Sequence, residues 1–201
     1  MVLISPKDAL NQCRVPRRVS LRRKSDKAEV SGILRTATDE DVRFIEDHWA
    51  PLLQGTDADD ASWPWRSKLD DLYVSEGAAE HVVVVIDDRV QGTLVTTLPD
   101  ATSGLWGAHA LYVEYVVTAP WNRGGEENAQ SYKAVGSLLL RHAALRSLAV
   151  GRGGCVALHS VPGAVTYYIK TAHLEDHGPE PTEPGLVRFL GDAQWAQGFL
   201  K

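Results

Sequence analysis

The sequence predicts an α/β fold around a twisted sheet of mixed strand direction. Three observations predict it. A β-branched run, His81-Val-Val-Val-Val-Ile, meets the turn pair Asp87-Asp88 and a second β-rich run, which together read as a hairpin. A third strand at 110–118 stops before Pro120. From there helix and strand alternate to the C-terminus, the pattern of a sheet covered by helices.

The elements follow in order. Gly32-Ile-Leu-Arg-Thr-Ala reads as a short strand. Thr38 caps a helix whose first turn is acidic and whose apolar positions, Val42, Ile45 and Trp49, recur at helical spacing. Pro51 marks its expected end. Gln54 to Ser62 reads as a polar loop, and Pro64 to Val74 as a second helix carrying Trp65, Leu69 and Leu72. After the hairpin and third strand, Tyr132 to Val150 is expected as a long helix, closed by the glycines between 151 and 154. Cys155 to His159 reads as a buried strand. Pro162 to Ala172 reads as a helix with proline in its first turn, Pro179 to Pro184 as a loop, Gly185 to Leu190 as a strand, and Asp192 to Leu200 as a terminal helix.

A chain of 201 residues with 44% hydrophobic and 23% charged residues can bury a full core, which excludes global disorder. No apolar run approaches the length of a membrane span, and the apolar start ends at Pro6 and Lys7, too short for a signal-peptide core. The net charge of −5 argues against a protein built to coat nucleic acid. That charge is uneven. Residues 1–30 hold eight basic and three acidic residues, a net of +5 against −10 for the rest. They are expected as a basic arm ahead of a domain spanning 31–201. The arm leaves two readings open: a contact for RNA or another anionic partner, or an added edge strand folded against its own acidic body. Cys13, in the arm, and Cys155, in a buried strand, are expected as unpaired thiols in the cytoplasm. His173 and His177 lie four apart, but beside Gly178-Pro179 they read as loop residues, and no metal is expected.

The chemistry concentrates between Leu111 and Glu175. A strand breaks at Pro120, and a glycine-containing loop then opens a helix at Ser131-Tyr-Lys-Ala-Val-Gly-Ser-Leu-Leu-Leu. Backbone N–H groups at such a helix start, with the helix dipole, favour a phosphate. One strand further on stands Ala164-Val-Thr-Tyr-Tyr-Ile-Lys-Thr-Ala-His. These stretches resemble the GNAT superfamily of acyl-CoA-dependent N-acetyltransferases. Ala164, Tyr167, Tyr168 and Lys170 fall in register on its Ala-x-x-Phe-Tyr-x-Lys helix, and Gly136 on the end of its phosphate loop. Tyr112-Val-Glu-Tyr, Ala119-Pro-Trp-Asn-Arg and Leu158-His-Ser-Val-Pro are similar to a bacterial subgroup. The chain departs from the pattern at Ser131, where Gln or Arg is usual, at Ala134 in place of a first glycine, at Ala172-His173 in place of Gly-Phe, and in a longer loop at 124–132. Alanine suits position 134 where φ is negative.

The resemblance implies a mostly antiparallel sheet with a splayed central strand pair that binds CoA. It implies transfer of an acetyl group from acetyl-CoA, without a metal, to a primary amine of a small molecule or protein by direct attack. Tyr168 is the expected acid for the departing thiolate, since a phenol keeps its proton at neutral pH. Glu114 is the expected base, half buried on its strand. Val116, Val117 and Thr118 would offer backbone groups to the pantetheine, and Lys133, Ala134, Val135, Gly136 and Ser137 would surround the pyrophosphate. Arg123 or Lys133 would replace the missing side-chain contact at 131. His159 is an expected substrate contact or alternative base. Trp63, Trp65 and Trp106 would shape the acceptor pocket, while Asp57, Asp59 and Asp60 read as a solvated loop. Two rivals remain: a GNAT fold that holds CoA or a protein partner without turnover, and an enzyme acting on aminoacyl-tRNA through the arm. Monomer and homodimer are both open.

Overall fold

A computed structural model describes residues 4–76, 80–99, 109–124 and 130–201, with the side chains of 72–76 excepted. In chain order, α1 spans Pro6–Gln12, β1 Arg17–Arg23 and β2 Glu29–Thr36. Then come α2 (Asp39–His48), α3 (Ala50–Leu53), α4 (Trp65–Glu76), β3 (Glu80–Ile86), β4 (Arg89–Thr97) and β5 (Leu111–Thr118). The rest are β6 (Tyr132–Lys133), α5 (Val135–Ala149), β7 (Val156–Ser160), α6 (Val165–Tyr167), β8 (Glu175–Pro179), β9 (Val187–Gly191) and α7 (Ala193–Phe199). The chain divides into two compact units. One holds Val15–Val95 and Tyr115–Leu139; the other holds Met1–Arg14, Thr96–Glu114 and Leu140–Lys201.

In the first unit the strands lie in the order β6-β1-β2-β3-β4. Asp87 and Asp88, both with positive φ, make the two-residue turn between β3 and β4 that matches strand twist. The basic stretch at 17–23 is β1, flanked by β2 and by β6: Arg17 pairs with Leu34 and Arg22 with both Glu29 and Lys133. Its buried Val19 and Leu21 alternate with exposed Arg18, Ser20 and Arg22, so the strand has one apolar face despite its charge. Lys24 just beyond it is buried, and its ammonium donates to the carbonyls of Asn122 and Gly124 at 3.0 and 3.1 Å.

Thr38 and Asp41 form a reciprocal cap on α2, and Arg35 grips the same carboxylate with two bonds. Pro51 does not end the helical path, because it sits in the first turn of α3, where no N–H is needed. Glu46 of α2 accepts from the Arg66 amide at the start of α4, 2.9 Å away, which ties the two helices together. Their Val42, Ile45, Trp49, Trp65 and Leu69 pack with Val83, Val90 and Val95 to make this unit's core.

His81 is buried beside Thr93, Nε2 to Oγ1 2.7 Å. Burial pushes its pKa down to about 4, against a weaker pull from Asp41. The unfolded chain therefore binds a proton near pH 6.5 that the folded chain refuses until about pH 4. The neutral imidazole contributes fully above pH 6.5, and about 3 kcal/mol is lost as pH falls from there to about 4. Urea unfolding across that window should show stability falling with acid, and His81→Asn should flatten the slope. An equally steep slope in the variant refutes the assignment.

In the second unit the order is β5-β7-β9-β8. β5 and β7 run parallel through Leu111–Val156, Tyr112–Ala157 and Val113–Leu158, while β7–β9 and β9–β8 are antiparallel. Leu111, Val113, Leu140, Leu145, Val156, Leu158 and Phe189 are buried here. Cys13 is buried in this unit rather than lying on an outlying arm. Cys155 is only partly buried; burial, then Asp192, pushes its thiol up, away from the reactive thiolate.

Candidate active site

The stretch from β5 to α5 in the first unit is built by hydrogen bonds. Gln91 of β4 accepts from Trp121 Nε1 (2.8 Å) and Asn122 Nδ2 (3.1 Å), and its carbonyl accepts from Asn122 as well (2.9 Å). Asn122 Oδ1 takes the Tyr132 amide at 2.7 Å, and Ser131 donates to the Trp121 carbonyl at 2.7 Å. Ser131 is fully buried. Its hydroxyl thus closes the loop rather than replacing the Gln or Arg expected to meet a phosphate. Residues 125–129 lie outside the described residues, as does Trp106.

Arg123 was expected to reach a phosphate. Its guanidinium instead grips Asp60 at 2.7 and 2.6 Å, and Nε donates to the Thr118 carbonyl at 2.9 Å. Asp60, read from sequence as solvated, is therefore buried, while Asp57 and Asp59 are exposed. The pair pins the loop ahead of α4 to the end of β5.

Lys133 is exposed at the end of β6. Ala134 has φ +64°, the left-handed conformation that the glycine of the resembled pattern adopts freely. The condition under which alanine costs little, a negative φ, is not met here. The backbone keeps the bend at a cost of roughly 1 kcal/mol in strain. Ala134 also accepts the first backbone bond of α5, from Leu138 at 2.9 Å. Val135 is buried, while Gly136 and Ser137 are half-buried in the first turn of a helix of 15 residues. First-turn N–H groups find no acceptor within their own helix, so this start, with Lys133 beside it, suits a phosphate. Gly92 lets α5 come close: a Cβ there would lie 2.6 Å from Val135 and 3.2 Å from the Val117 carbonyl. Val116, Val117 and Thr118 are half-buried.

Trp65 is buried in the core rather than lining a pocket. Trp63 is half-buried, edge-on to Trp65 and Tyr115 at 5.5 and 5.4 Å, and the Lys68 ammonium lies 4.8 Å over its ring. These rings accommodate a cation of the chain's own.

The second unit carries the acid–base groups. Glu114 is half-buried on β5, and Oε1 accepts from Thr97 at 2.7 Å. Tyr112, two residues earlier, shares its strand face. Tyr112 pairs with Ala157, and His159 lies two residues beyond Ala157 on the same face. The opposite face presents Leu158 and its partner Phe189. Tyr168 packs there, ring to ring with Phe189 at 5.4 Å, buried at 6% exposure. Burial, then neighbouring Tyr167, pushes its phenol well above the ordinary tyrosine range. It keeps its proton.

Tyr168 opens a π-helical turn, Tyr168–Ala172, that follows α6 directly. Single π turns recur at functional sites because they re-aim side chains. His173 ends it in the left-handed region, one residue after the alanine that stands at the family's glycine. Trp195 of α7 donates to the Ala172 carbonyl at 2.7 Å and fixes the turn.

No family model matches the sequence, and no curated protein does. Solved structures match at the level of fold. The GNAT domain of S. lividans PAT is 18% identical, with a TM-score of 0.55 over 88% of this chain and 96% of that one. PaiA N-acetyltransferase from Thermoplasma acidophilum, solved in complex with coenzyme A, is 12% identical, with a TM-score of 0.53 over 81% and 99%. PH1933 from Pyrococcus horikoshii OT3 is 16% identical, with a TM-score of 0.56 over 80% and 98%. The chain has the GNAT fold. Among the described residues no helix is long and apolar enough to cross a membrane, and no cluster of His, Cys, Asp and Glu could hold a metal ion.

Sequence reasoning singled out Tyr168, Glu114 and His159 but missed their partners. Thr97 binds Glu114 from 17 residues away, and Tyr112 and Glu180 bind His159 from 47 and 21. Only the alternation of Tyr112 and Glu114 along one strand face was a usable signal.

Proposed function

We propose that the protein is an acetyl-CoA-dependent N-acetyltransferase that acts on a primary amine by direct attack. The observation that carries this reading is a buried, neutral phenol, Tyr168, carried on a π turn of the GNAT fold. Glu114, anchored by Thr97 on β5, is the carboxylate offered as the base. Acyl transfer needs both proton functions: a base for the incoming amine and an acid for the departing thiolate. Glu114 takes the amine proton, and Tyr168 donates to the thiolate sulfur. The backbone N–H groups of Val117 and Thr118 polarise the thioester carbonyl. Lys133 and the first turn of α5, Ala134 to Ser137, hold the pyrophosphate, and Val116 to Thr118 pair with the pantetheine. Cys13 and Cys155, both outside any disulfide, fit a cytoplasmic protein.

A second reading has its own support. With Ser131 and Arg123 both bound within the chain, the phosphate loop has fewer side chains to offer, as in a GNAT fold that binds weakly or not at all.

Isothermal titration with acetyl-CoA, and with free CoA as control, separates the two. The native chain should bind acetyl-CoA in the micromolar range. Ala134→Gly, which relieves the left-handed strain, should bind at least as tightly, and Ala134→Val should weaken binding by about tenfold, since a branched side chain fits that conformation worse. No binding at millimolar concentration overturns the enzyme reading.

A further inference from the structure

Tyr112, His159 and Glu180 form a hydrogen-bonded chain that the reading above does not use. His159 Nε2 donates to Glu180 Oε2 at 3.0 Å. On the other side of the ring, the Tyr112 hydroxyl lies 2.5 Å from Nδ1. Glu180 is itself held: its other oxygen accepts from the Thr182 hydroxyl and amide at 2.8 and 3.2 Å. These Thr182 bonds, and then His159, outweigh burial and keep the carboxyl below its ordinary range, so it stays ionised. A carboxylate at Nε2 fixes the proton there and turns the Nδ1 lone pair to the phenol. The His159 and Glu180 side chains are 22% and 13% exposed, sheltered but not closed to solvent. Glu180 is bonded to the imidazole, Glu114 shares its strand face on neighbouring β5, and Arg188 of β9 lies opposite His159 in the ladder.

We propose that Tyr112, backed by His159 and Glu180, is a second proton acceptor for the amine nitrogen of the acetyl acceptor. The proposal rests on the acetyl-transfer reading and deepens it. An amine arriving as an ammonium has three N–H bonds, and the amide it becomes has one, so two protons must leave nitrogen. Glu114 takes the first and frees the lone pair. Attack forms the N–C bond, moves the carbonyl π pair to oxygen and leaves nitrogen cationic. The Tyr112 oxygen accepts the second proton as its own proton passes to Nδ1, and the imidazolium is held by Glu180. The oxyanion then reforms the carbonyl, the C–S bond breaks, and sulfur takes a proton from Tyr168. Return of the Nδ1 proton through Tyr112, and exchange of Glu114 and Tyr168 with solvent, restore the site. The sum is ammonium plus thioester giving amide, thiol and one proton. Tyr112 and Glu114 stand two residues apart on one strand face, where two acceptors can serve one nitrogen.

The test has two arms on the full chain. NMR of ¹⁵N-histidine-labelled protein should show His159 with its proton on Nε2 and a low-field proton at the Tyr112 bond, lost in Tyr112→Phe. The opposite tautomer, or no such proton, overturns the proposal. In the second arm, free-thiol release is followed with acetyl-CoA and a panel of primary amines. Tyr112→Phe and His159→Gln should each lower kcat by about a hundredfold with KM for acetyl-CoA unchanged, and should alter the pH profile of kcat. An unchanged kcat in folded Tyr112→Phe, with native turnover intact, overturns this proposal alone. A uniform fall across pH without change of profile also overturns it, since that is what a structural role produces. If the native chain binds acetyl-CoA and transfers to no amine, the parent reading fails and this one with it.

Discussion

Tyr168→Phe should lower the kcat of acetyl transfer by about a hundredfold or more and leave the affinity for acetyl-CoA within about twofold. The substitution removes one hydroxyl and keeps the ring. Tyr168 is buried against Phe189 and Tyr167, so phenylalanine fills the same space and the π turn that carries it keeps its shape. On the proposed mechanism, what disappears is the donor to the leaving sulfur, an interaction made only as charge builds there. Because burial and Tyr167 hold the phenol protonated throughout the ordinary pH range, Tyr168 contributes no limb to the pH profile. The variant's profile should therefore keep the native shape at a lower height. Thiol release and titration with acetyl-CoA check the two halves separately. Native turnover in the variant removes Tyr168 from the mechanism; lost binding makes its role one of shape.

The local signals in the sequence were enough for most elements. The hairpin around Asp87-Asp88, the Thr38 cap and the strand ending before Pro120 all have their cause within a few residues. What was not legible depends on partners far along the chain. β8 has the sequence Glu-Asp-His-Gly-Pro, which no strand propensity favours; its pairing with β9 makes it a strand. Tyr132 and Lys133 read as the start of a helix, but β1 claims them as β6. In β1 the alternation of Val19 and Leu21 with cations was present, yet the charge dominated the reading. The site divides the same way. Tyr168 is visible through the residues around it. The bonds of Arg123 to Asp60 and of His159 to Glu180 join residues 63 and 21 apart, and neither segment announces the other.

Gly191→Ala should destabilise the chain by about 4 kcal/mol and disturb Tyr168 without touching it. Gly191 ends β9, and its reason for being glycine is space rather than conformation. A Cβ there would overlap the Trp195 ring, with Cδ2 at 2.5 Å and Cζ3 at 2.7 Å. The ring cannot yield cheaply. Its Nε1 is bound to the Ala172 carbonyl at 2.7 Å, and its face is stacked on Phe199 at 4.8 Å. Overpacking of this kind costs about 1–3 kcal/mol, and shifting the half-buried indole takes the bond from the buried Ala172 carbonyl at about 1–3 kcal/mol more. Ala172 ends the π turn that begins at Tyr168, so the lost bond loosens the segment that aims the phenol. Urea unfolding should show the loss in stability, and Trp195→Leu in the same chain should recover part of it, because the clash then has no ring to meet. The two changes must therefore be non-additive. A single variant that costs less than about 1 kcal/mol, or a double variant that merely adds the two losses, shows that Trp195 is free to move and does not hold the turn in place.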